Sequence, residues 1–264
     1  MANKTRKAKN DYVVAIPSYK RQETLKMKTL QMLHDYNIPA SKIFIFVANN
    51  EEKELYRNTL EPSSYAKIIV GIKGLAPVRN FIAGYFPIGK KIVFCDDDIK
   101  GFLEFDATKP RHEKPLVSLE KTIQRGFQEC EKHACRLWGV YPTPNGFFMK
   151  DTVSTDLKFC VGSFFGLINP GPKTLHIPMS EKEDYYRTLR MFEVDGCVVR
   201  LNFVAAKTAY YKEPGGMQTD PQRKEKQEDA VVFLLEKYPQ WVKRNPTRKS
   251  GFPEIRIKDS TKHT

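Results

Sequence analysis

Four short apolar runs constrain the fold of this chain most strongly. They are separated by segments of helical length and lie at residues 12–16 (YVVAI), 42–48 (KIFIFVA), 67–70 (KIIV) and 91–95 (KIVFC). Continuous apolar runs are typical of parallel strands that are covered on both faces. The pattern therefore predicts an α/β fold of Rossmann-like type, with a mostly parallel central sheet flanked by helices.

The rest of the sequence predicts the helices between these strands and three further strands. Helices are predicted at 22–36, 50–60, 76–85 and 118–135, and further strands at 137–141, 159–168 and 197–205. With 264 residues, the chain fits one globular domain over 11–264, preceded by a basic tail at 1–10.

The longest apolar run has six residues, against about 20 for a membrane span. The first ten residues carry no apolar signal segment, and five scattered cysteines give no disulfide or zinc pattern. We therefore expect a cytoplasmic protein that is neither secreted nor bound to a membrane.

The net charge of +13 calls for a polyanionic partner. Composition alone leaves nucleic acid, an anionic membrane surface and a phosphorylated small molecule open. The excess lies at the two ends, because residues 1–30 and 237–258 each carry a net charge of +6. In the C-terminal stretch, Tyr238, Trp241 and Phe252 alternate with basic residues, a combination that suits contact with nucleic acid.

Polar residues follow each predicted strand of the first half. In an open parallel sheet, ligands bind at the carboxyl ends of the strands, so these residues are the candidate site. After the first two strands come Pro17, Ser18, Tyr19, Arg21 and Asn49. The third strand is followed by a GLAPVRN segment, in which Gly74 allows close backbone approach and Arg79 offers a planar fork of donors to a phosphate. A turn before a solvated helix is the simpler alternative.

The fourth strand ends in three consecutive aspartates, Asp96, Asp97 and Asp98. Adjacent carboxylates repel each other, and a hard divalent cation such as Mg²⁺ or Mn²⁺ relieves that repulsion. In extended backbone Asp96 and Asp98 share one side, so we expect metal contact at Asp98 and a metal or ribose contact at Asp96. Asp97 is expected to point elsewhere or to form a local hydrogen bond, and it is counted among the candidate cofactor-binding residues. A solvated loop or a helix cap is the alternative reading.

Two later segments add candidates. Ser180 and Glu183 have the spacing of a capping box, which predicts a helix start and a structural use for Glu183. Asp184 is then left free to face a cleft, where it could act as a general base, or simply favour the helix terminus. The segment 210–218 holds two glycines beside Lys212, which suits a lid or a diphosphate contact as well as a plain turn. Its candidate residues are Lys212, Gly215 and Gly216.

Taken together, these motifs resemble those of the GT-A glycosyltransferases. The order IPSYKR, FVAN, VGIKGLAPVRN, VFCDDDIKGF, EKEDYYRTL and YYKEPGGMQ is most similar to the TET/JBP-associated glycosyltransferases of phages and other viruses, and the resemblance spans about residues 11 to 218. It implies a nucleotide-sugar-binding half at 11–105, an acceptor and catalytic half with a smaller mixed sheet at 106–218, and a C-terminal helix and basic segment at 219–264.

The resemblance also implies a function and roles for individual residues. The reaction is transfer of a hexose such as glucose from a nucleotide sugar, expected to be a UDP-sugar, to the hydroxymethyl group of 5-hydroxymethylcytosine or 5-hydroxymethyluracil in DNA, with a Mg²⁺ or Mn²⁺ ion. DNA and the nucleotide sugar are the expected partners, and no protein partner is predicted. Asp184 is the implied base of an inverting reaction, and a third metal ligand is open among Lys212, Glu213 and other groups. The remaining correspondences are the nucleotide end of the first strand (Pro17, Ser18, Tyr19, Arg21), the donor-pocket pair (Arg79, Asn80) and the metal motif (Asp96, Asp98).

Three other functions share part of this pattern. A transferase acting on a polysaccharide or a lipid-linked acceptor would use the same donor site. A nucleotidyltransferase would use paired aspartates for two metal ions. A non-catalytic DNA-binding module would explain the charge but not three aspartates at the end of a buried strand.

Overall fold

The architecture is taken from a computed structural model that describes residues 11–208, 222–246 and 251–258. Its strands are β1 (Tyr12–Pro17), β2 (Ile43–Val47), β3 (Lys67–Val70), β4 (Lys91–Cys95), β5 (Gly101–Phe105), β6 (Glu113–Pro115), β7 (Leu137–Tyr141), β8 (Val153–Ser154), β9 (Phe164–Ile168), β10 (Val199–Lys207), β11 (Val242–Asn245) and β12 (Glu254–Ile257). Its helices are α1 (Gln22–Leu25), α2 (Gln31–Asp35), α3 (Asn50–Thr59), α4 (Leu75–Tyr85), α5 (Leu119–Lys132), α6 (Glu183–Asp195) and α7 (Arg223–Lys237). A π-helical turn, Lys26–Leu30, joins α1 to α2, and 3-10 turns lie at Ala40–Lys42 and Pro62–Ser64.

The central sheet has the order β3-β2-β1-β4-β9-β7-β10-β5-β6, and β8 pairs with β10. The β3-β2-β1-β4 part is parallel throughout, as the continuous apolar runs predict. Beyond β4, the sheet becomes mixed, because β9 is antiparallel to both β4 and β7. The predicted α/β fold class is confirmed. The mixed strands continue this sheet, while β11 and β12 form a small separate sheet.

The strand predicted at 159–168 begins only at Phe164. Backbone donors just before it are used by helix α6 instead of by a neighbouring strand. The amide of Cys160 donates to Thr188 Oγ1 at 3.3 Å, and the amide of Gly162 donates to Asp184 Oδ2 at 3.2 Å. This segment therefore ties helix α6 to the end of the sheet.

Trp138 of β7 is the largest fully buried side chain and lies between two glycines. A Cβ atom placed on Gly126 of α5 would lie 2.4 Å from the indole, and one on Gly166 of β9 would lie 2.0 Å from it. Phe127 and Phe164 meet the same ring edge-on, with ring centroids 5.6 and 5.8 Å away. The helix and the sheet thus approach each other closely because these two positions carry no side chain.

The C-terminal aromatic residues pack into the protein, contrary to the nucleic-acid contact expected for them. Tyr238 is fully buried, and Trp241 stacks on it with a centroid separation of 5.6 Å. Trp241 also meets Phe192 of α6 edge-on at 5.3 Å. These rings fasten α7 and the β11–β12 hairpin to helix α6, while the basic Lys243, Arg244 and Arg256 are exposed.

Among the described residues, no helix has both the length and the apolar character that crossing a bilayer requires.

Candidate active site

The aspartate triplet lies at the carboxyl end of β4, next to the end of β1, as the parallel pairing requires. Its backbone is held from two sides. The amide of Asp96 donates to the carbonyl of Ser163 at 2.9 Å. Thr29, in the π-helical turn, donates its hydroxyl to the Asp96 carbonyl at 2.7 Å and accepts from the amide of Ile99 at 3.0 Å. The triplet is therefore a fixed part of the sheet edge and not a solvated loop.

One buried cluster, which we call the closed cluster, consists of Ser18, Arg21, Tyr56 and Asp97. Ser18 Oγ donates to Asp97 Oδ2 at 2.6 Å, and Arg21 Nη1 donates to Asp97 Oδ1 at 3.2 Å. Tyr56 Oη lies 2.6 Å from Ser18 Oγ and accepts from the amide of Arg21 at 3.1 Å. Burial raises the pKa of Asp97 to about 6, and the Ser18 hydroxyl and the Arg21 cation oppose that rise. Both oxygens of Asp97 are therefore engaged by the protein itself.

A second buried cluster, the open cluster, consists of Arg79, Glu183 and Arg187. Arg79 Nη1 lies 2.7 Å from Glu183 Oε1, and Arg187 Nη1 lies 2.6 Å from Glu183 Oε2. Arg79 Nη2 also donates to the carbonyl of Gly162 at 2.9 Å and to Asp96 Oδ1 at 3.3 Å. Arg187 stacks on Phe165, with its Cζ atom 3.5 Å from the ring centroid. The cluster thus joins helix α4, helix α6 and the first aspartate of the triplet.

The open cluster does not use all of its donors. Among the described residues, the Nε atoms of Arg79 and Arg187 and the Nη1 atom of Arg79 are buried without a hydrogen-bond partner, so the contact of Arg79 Nη1 with Glu183 is an ion pair and not a hydrogen bond. Both arginines line a cavity of about 10 Å³ beside Phe165, which is close to the room that one water molecule needs. Two guanidinium cations share the single carboxylate of Glu183, so the cluster carries an excess positive charge beside Asp96.

The capping box predicted at Ser180 and Glu183 is wrong. Helix α6 begins after Lys182, which has a left-handed backbone with φ of 53°, and no side chain caps the helix. Glu183 is buried because it bridges the two arginines. The missed signal was Arg187, four residues after Glu183 on the same helix face.

Asp184 lies beside this cluster, half-buried at the start of α6. Its Oδ2 atom accepts from the amide of Gly162 at 3.2 Å, and its Oδ1 atom accepts from the amide of Tyr185 at 2.9 Å. Burial raises the pKa of Asp184 first, and the nearby Glu183 carboxylate raises it further, while Arg187 and Arg79 lower it. A carboxylate with a raised pKa is better suited to accept a proton than an ordinary surface aspartate.

Gly162, which the sequence did not single out, lies where these groups meet. Its carbonyl binds Arg79 and its amide binds Asp184. A Cβ atom at this position would lie 2.9 Å from Glu183 Oε1 and 3.4 Å from both Arg79 Nη1 and Asp184 Cβ. A glycine is therefore needed for the open cluster and Asp184 to approach each other this closely.

Two predicted cofactor residues have structural partners of their own. Asn49 caps α3 by accepting from the amide of Glu52 at 2.8 Å. The side-chain amide of Asn80 both donates to and accepts from the backbone of Ile177, at 2.9 Å in each case. A contact of either residue with a nucleotide stays a prediction.

Tyr19 and Gly74 lie at the exposed rim of the sheet edge. The Tyr19 ring has Lys20 Nζ 5.5 Å and Lys73 Nζ 5.3 Å from its centroid, and both lysines are exposed. Gly74 precedes α4 with φ of 105°, a value that favours glycine. Pro17 ends β1 directly before these residues. An aromatic ring with two lysine cations close to it suits a nucleotide base and its phosphates.

The metal prediction concerns Asp96 and Asp98, which are both half-buried. Across the residues that the structure describes, no three His, Cys, Asp or Glu side chains are grouped to hold a metal ion. Burial raises the pKa of Asp96 to about 7, opposed by Arg79 and reinforced by the neighbouring Asp98 carboxylate. Two carboxylates fit the way that Mg²⁺ is usually held, with the other ligands supplied by water and substrate phosphate. Lys212, Glu213, Gly215 and Gly216 lie outside the described residues.

Comparison with known proteins bears on the fold. Neither a protein-family profile nor a curated protein matches the sequence. Among solved structures, TarS of S. aureus matches 85% of this chain with a TM-score of 0.51 and 14% identity, and the chain spans 40% of TarS. A TarS fragment, residues 1–349 in complex with UDP, matches 74% of the chain and is itself covered to 59%, with a TM-score of 0.47 and 14% identity. The 4-diphosphocytidyl-2C-methyl-D-erythritol synthase of Anaerococcus prevotii matches 88% of the chain and is covered to 99%, with a TM-score of 0.39 and 11% identity. The likeness to TarS shows a shared mixed α/β fold.

Proposed function

We propose that this protein is a metal-dependent glycosyltransferase that moves a hexose from a UDP-sugar to the hydroxymethyl group of a 5-hydroxymethylpyrimidine in DNA. One observation carries the proposal. Arg79 and Asp184 both bind the backbone of Gly162, and Arg79 also binds Asp96, so a cation suited to a diphosphate lies beside two carboxylates, one placed to hold a metal ion and one suited to act as a base. The motif order from residue 11 to about 218 gives the same assignment.

On the donor side, the rim residues provide binding groups. The Tyr19 face can stack with the nucleotide base, and the exposed Lys20 and Lys73 beside it attract the diphosphate. Arg79 is pre-oriented by Glu183 and Gly162, so its guanidinium can stabilise the charge that develops on the leaving diphosphate. A Mg²⁺ or Mn²⁺ ion held by Asp96 and Asp98 would supply Lewis-acid stabilisation of the same charge.

On the acceptor side, Asp184 is the proposed base. It takes the proton of the acceptor hydroxyl as that oxygen forms a bond to the anomeric carbon. The bond between this carbon and the diphosphate oxygen breaks at the same time, and its electron pair leaves with the nucleoside diphosphate. Attack from the side opposite the leaving group inverts the anomeric configuration.

The β11–β12 hairpin is the proposed contact for the DNA backbone. Lys243 and Arg256 lie directly opposite each other in the ladder, both exposed, and neither has an ion-pair partner among the described residues. Like charges in this position repel, so a bound phosphate would stabilise the pair. The hairpin adjoins the start of α6, since Lys182 Nζ lies 3.5 Å from Glu254 Oε2 and Tyr185 Oη donates to the carbonyl of Ile255 at 3.2 Å. Phosphate bound there would lie on the same side as Asp184.

A transfer assay tests the proposal. The protein is incubated with Mn²⁺, a panel of nucleotide sugars and duplex DNA with or without 5-hydroxymethylcytosine or 5-hydroxymethyluracil, and the digested nucleosides are analysed by mass spectrometry. We expect a hexose on the modified base only, and none on unmodified DNA. No added mass with any donor would refute the enzyme assignment. Transfer to a polysaccharide or lipid-linked acceptor, with none to DNA, would refute the DNA part alone.

The salt dependence of DNA binding tests the hairpin separately. Each phosphate contact contributes about 0.9 to the slope of log affinity against log salt concentration. Replacing Lys243 and Arg256 by glutamine should therefore lower that slope by about 2. The control is Lys53→Gln with Arg57→Gln on the exposed side of α3, which should leave the slope unchanged. An equal slope in the hairpin variant and the wild type would exclude the hairpin as the backbone contact.

A further inference from the structure

Glu183 has a place in the site that the proposed chemistry does not by itself require. It is 3% exposed, it does not follow from helix capping, and each of its two oxygens binds a different arginine. Burying a carboxylate is costly unless it is paired and hydrogen-bonded. Its position therefore reflects what it does to the two arginines.

The two arginines differ in what else they contact. Arg79 reaches the reactive edge, with Nη2 3.3 Å from Asp96 Oδ1. Arg187 donates to the carbonyl of Cys160 at 3.3 Å and stacks on Phe165, and no described contact joins it to Asp96 or Asp184. One oxygen of Glu183 thus binds Arg79, and the other oxygen is bound by Arg187.

Resting on the proposed function, we infer that Glu183 is a positioning residue that fixes the Arg79 guanidinium for the donor diphosphate. Arg79 is held at two points, because its Nη1 atom forms an ion pair with Glu183 Oε1 at 2.7 Å and its Nη2 atom donates to the Gly162 carbonyl at 2.9 Å. Two-point attachment fixes the plane of the guanidinium, and a planar fork binds phosphate well only in the right plane. Glu183 directly precedes Asp184 in the first turn of α6. The start of this helix therefore positions both Arg79, the cation for the donor diphosphate, and Asp184, the proposed base for the acceptor.

The alternative is that Glu183 merely balances the buried positive charge. A pair of variants separates the two roles. Glu183→Gln leaves two buried cations without their carboxylate, so its melting temperature should fall by about 10 °C. Adding Arg187→Met restores the charge balance and keeps the packing length against Phe165, so the double variant should regain most of that loss. The double variant still lacks the group that holds Arg79 Nη1.

UDP in the presence of Mn²⁺ is the binding probe, measured by isothermal titration calorimetry. Loss of the ion pair that anchors Arg79 predicts UDP binding that is about 10- to 100-fold weaker in both Glu183 variants. The matched control is Glu181→Gln, since Glu181 is also buried and pairs with Arg223 at 3.4 Å, away from Arg79. This control should bind UDP within about twofold of the wild type. Wild-type UDP affinity in the stable double variant would overturn the inference.

A second measurement does not depend on any ligand. In protein with ¹⁵N-labelled arginine, rotation of the Arg79 guanidinium about its Cζ–Nε bond is followed by NMR. We expect slow rotation in the wild type and fast averaging in the double variant, and slow rotation in both would overturn the inference. If the wild type binds no UDP, the donor part of the proposed function fails, and the rotation rates still decide the role of Glu183.

Discussion

The closed and open clusters flank the same aspartate triplet but differ in how they use their hydrogen-bonding groups. In the closed cluster, both oxygens of Asp97 are taken by Ser18 and Arg21. In the open cluster, two arginines share Glu183, and their Nε atoms lack partners within the described part of the chain. A cluster with satisfied groups mainly supports the fold, whereas an excess of oriented positive charge can serve an anionic ligand. Changes near the open cluster should therefore affect function, together with stability where a buried charge loses its partner, and changes in the closed cluster should affect stability alone.

The largest expected effect comes from Asp184, which adjoins the open cluster. Asp184→Asn removes the proposed base while keeping the size of the side chain. We expect kcat to fall by about 10²- to 10⁴-fold, the usual contribution of a general base. UDP affinity should change little, whereas the melting temperature should fall modestly, because the asparagine oxygen can accept from only one of the two backbone amides that Asp184 binds. The reaction rate with saturating donor, measured beside the exposed control Asp35→Asn, checks this, and near wild-type turnover would contradict the assignment.

A smaller effect, on stability instead of turnover, is expected in the closed cluster. Ser18→Ala removes the hydroxyl that donates to Asp97 Oδ2 and lies 2.6 Å from Tyr56 Oη. Leaving a buried carboxylate oxygen short of a donor costs about 1–3 kcal/mol of the free energy of unfolding. Urea denaturation measures this loss. An unchanged unfolding midpoint would show that the closed cluster is not the scaffold that we describe.

The smallest expected effect is a pH dependence that links Asp184 to the open cluster. The deprotonated carboxylate is the active form, and burial together with Glu183 raises its pKa. Less of that form is then present at a given acidic pH, so kcat should fall as the pH is lowered through this raised pKa. An ordinary aspartate, with a pKa of about 3.9, would leave kcat flat down to about pH 5. A profile of kcat from about pH 5 to 9 distinguishes the two cases.

The sequence predicted the strands best where their apolar runs were continuous. The limits of β3, β4 and β7 are those that the runs at 67–70, 91–95 and 137–141 indicate. Strands β5 and β6 were not predicted, because both are short, β6 lies at the sheet edge, and their register is set by pairing with β10 and with each other. Local pattern carries no information on such partners.

The candidate site was predictable where residues follow a strand directly. Strand order brings the ends of β1 and β4 together, so Ser18 and Asp97 could be expected near each other. The roles of Gly162 and Glu183 could not be foreseen, because they depend on contacts with Arg79 that span about a hundred residues of chain. The capping-box pattern even gave Glu183 a local explanation that the structure replaces.

The glycine-lined pocket of Trp138 has a practical consequence. The chain has two tryptophans, and they report on different parts of the molecule. Trp138 is shielded between Gly126 and Gly166 in the central sheet, whereas Trp241 is half-buried against Tyr238 at the C-terminal hairpin. Fluorescence of variants that keep one indole each can therefore follow the sheet and the hairpin independently as the protein unfolds or binds its partners.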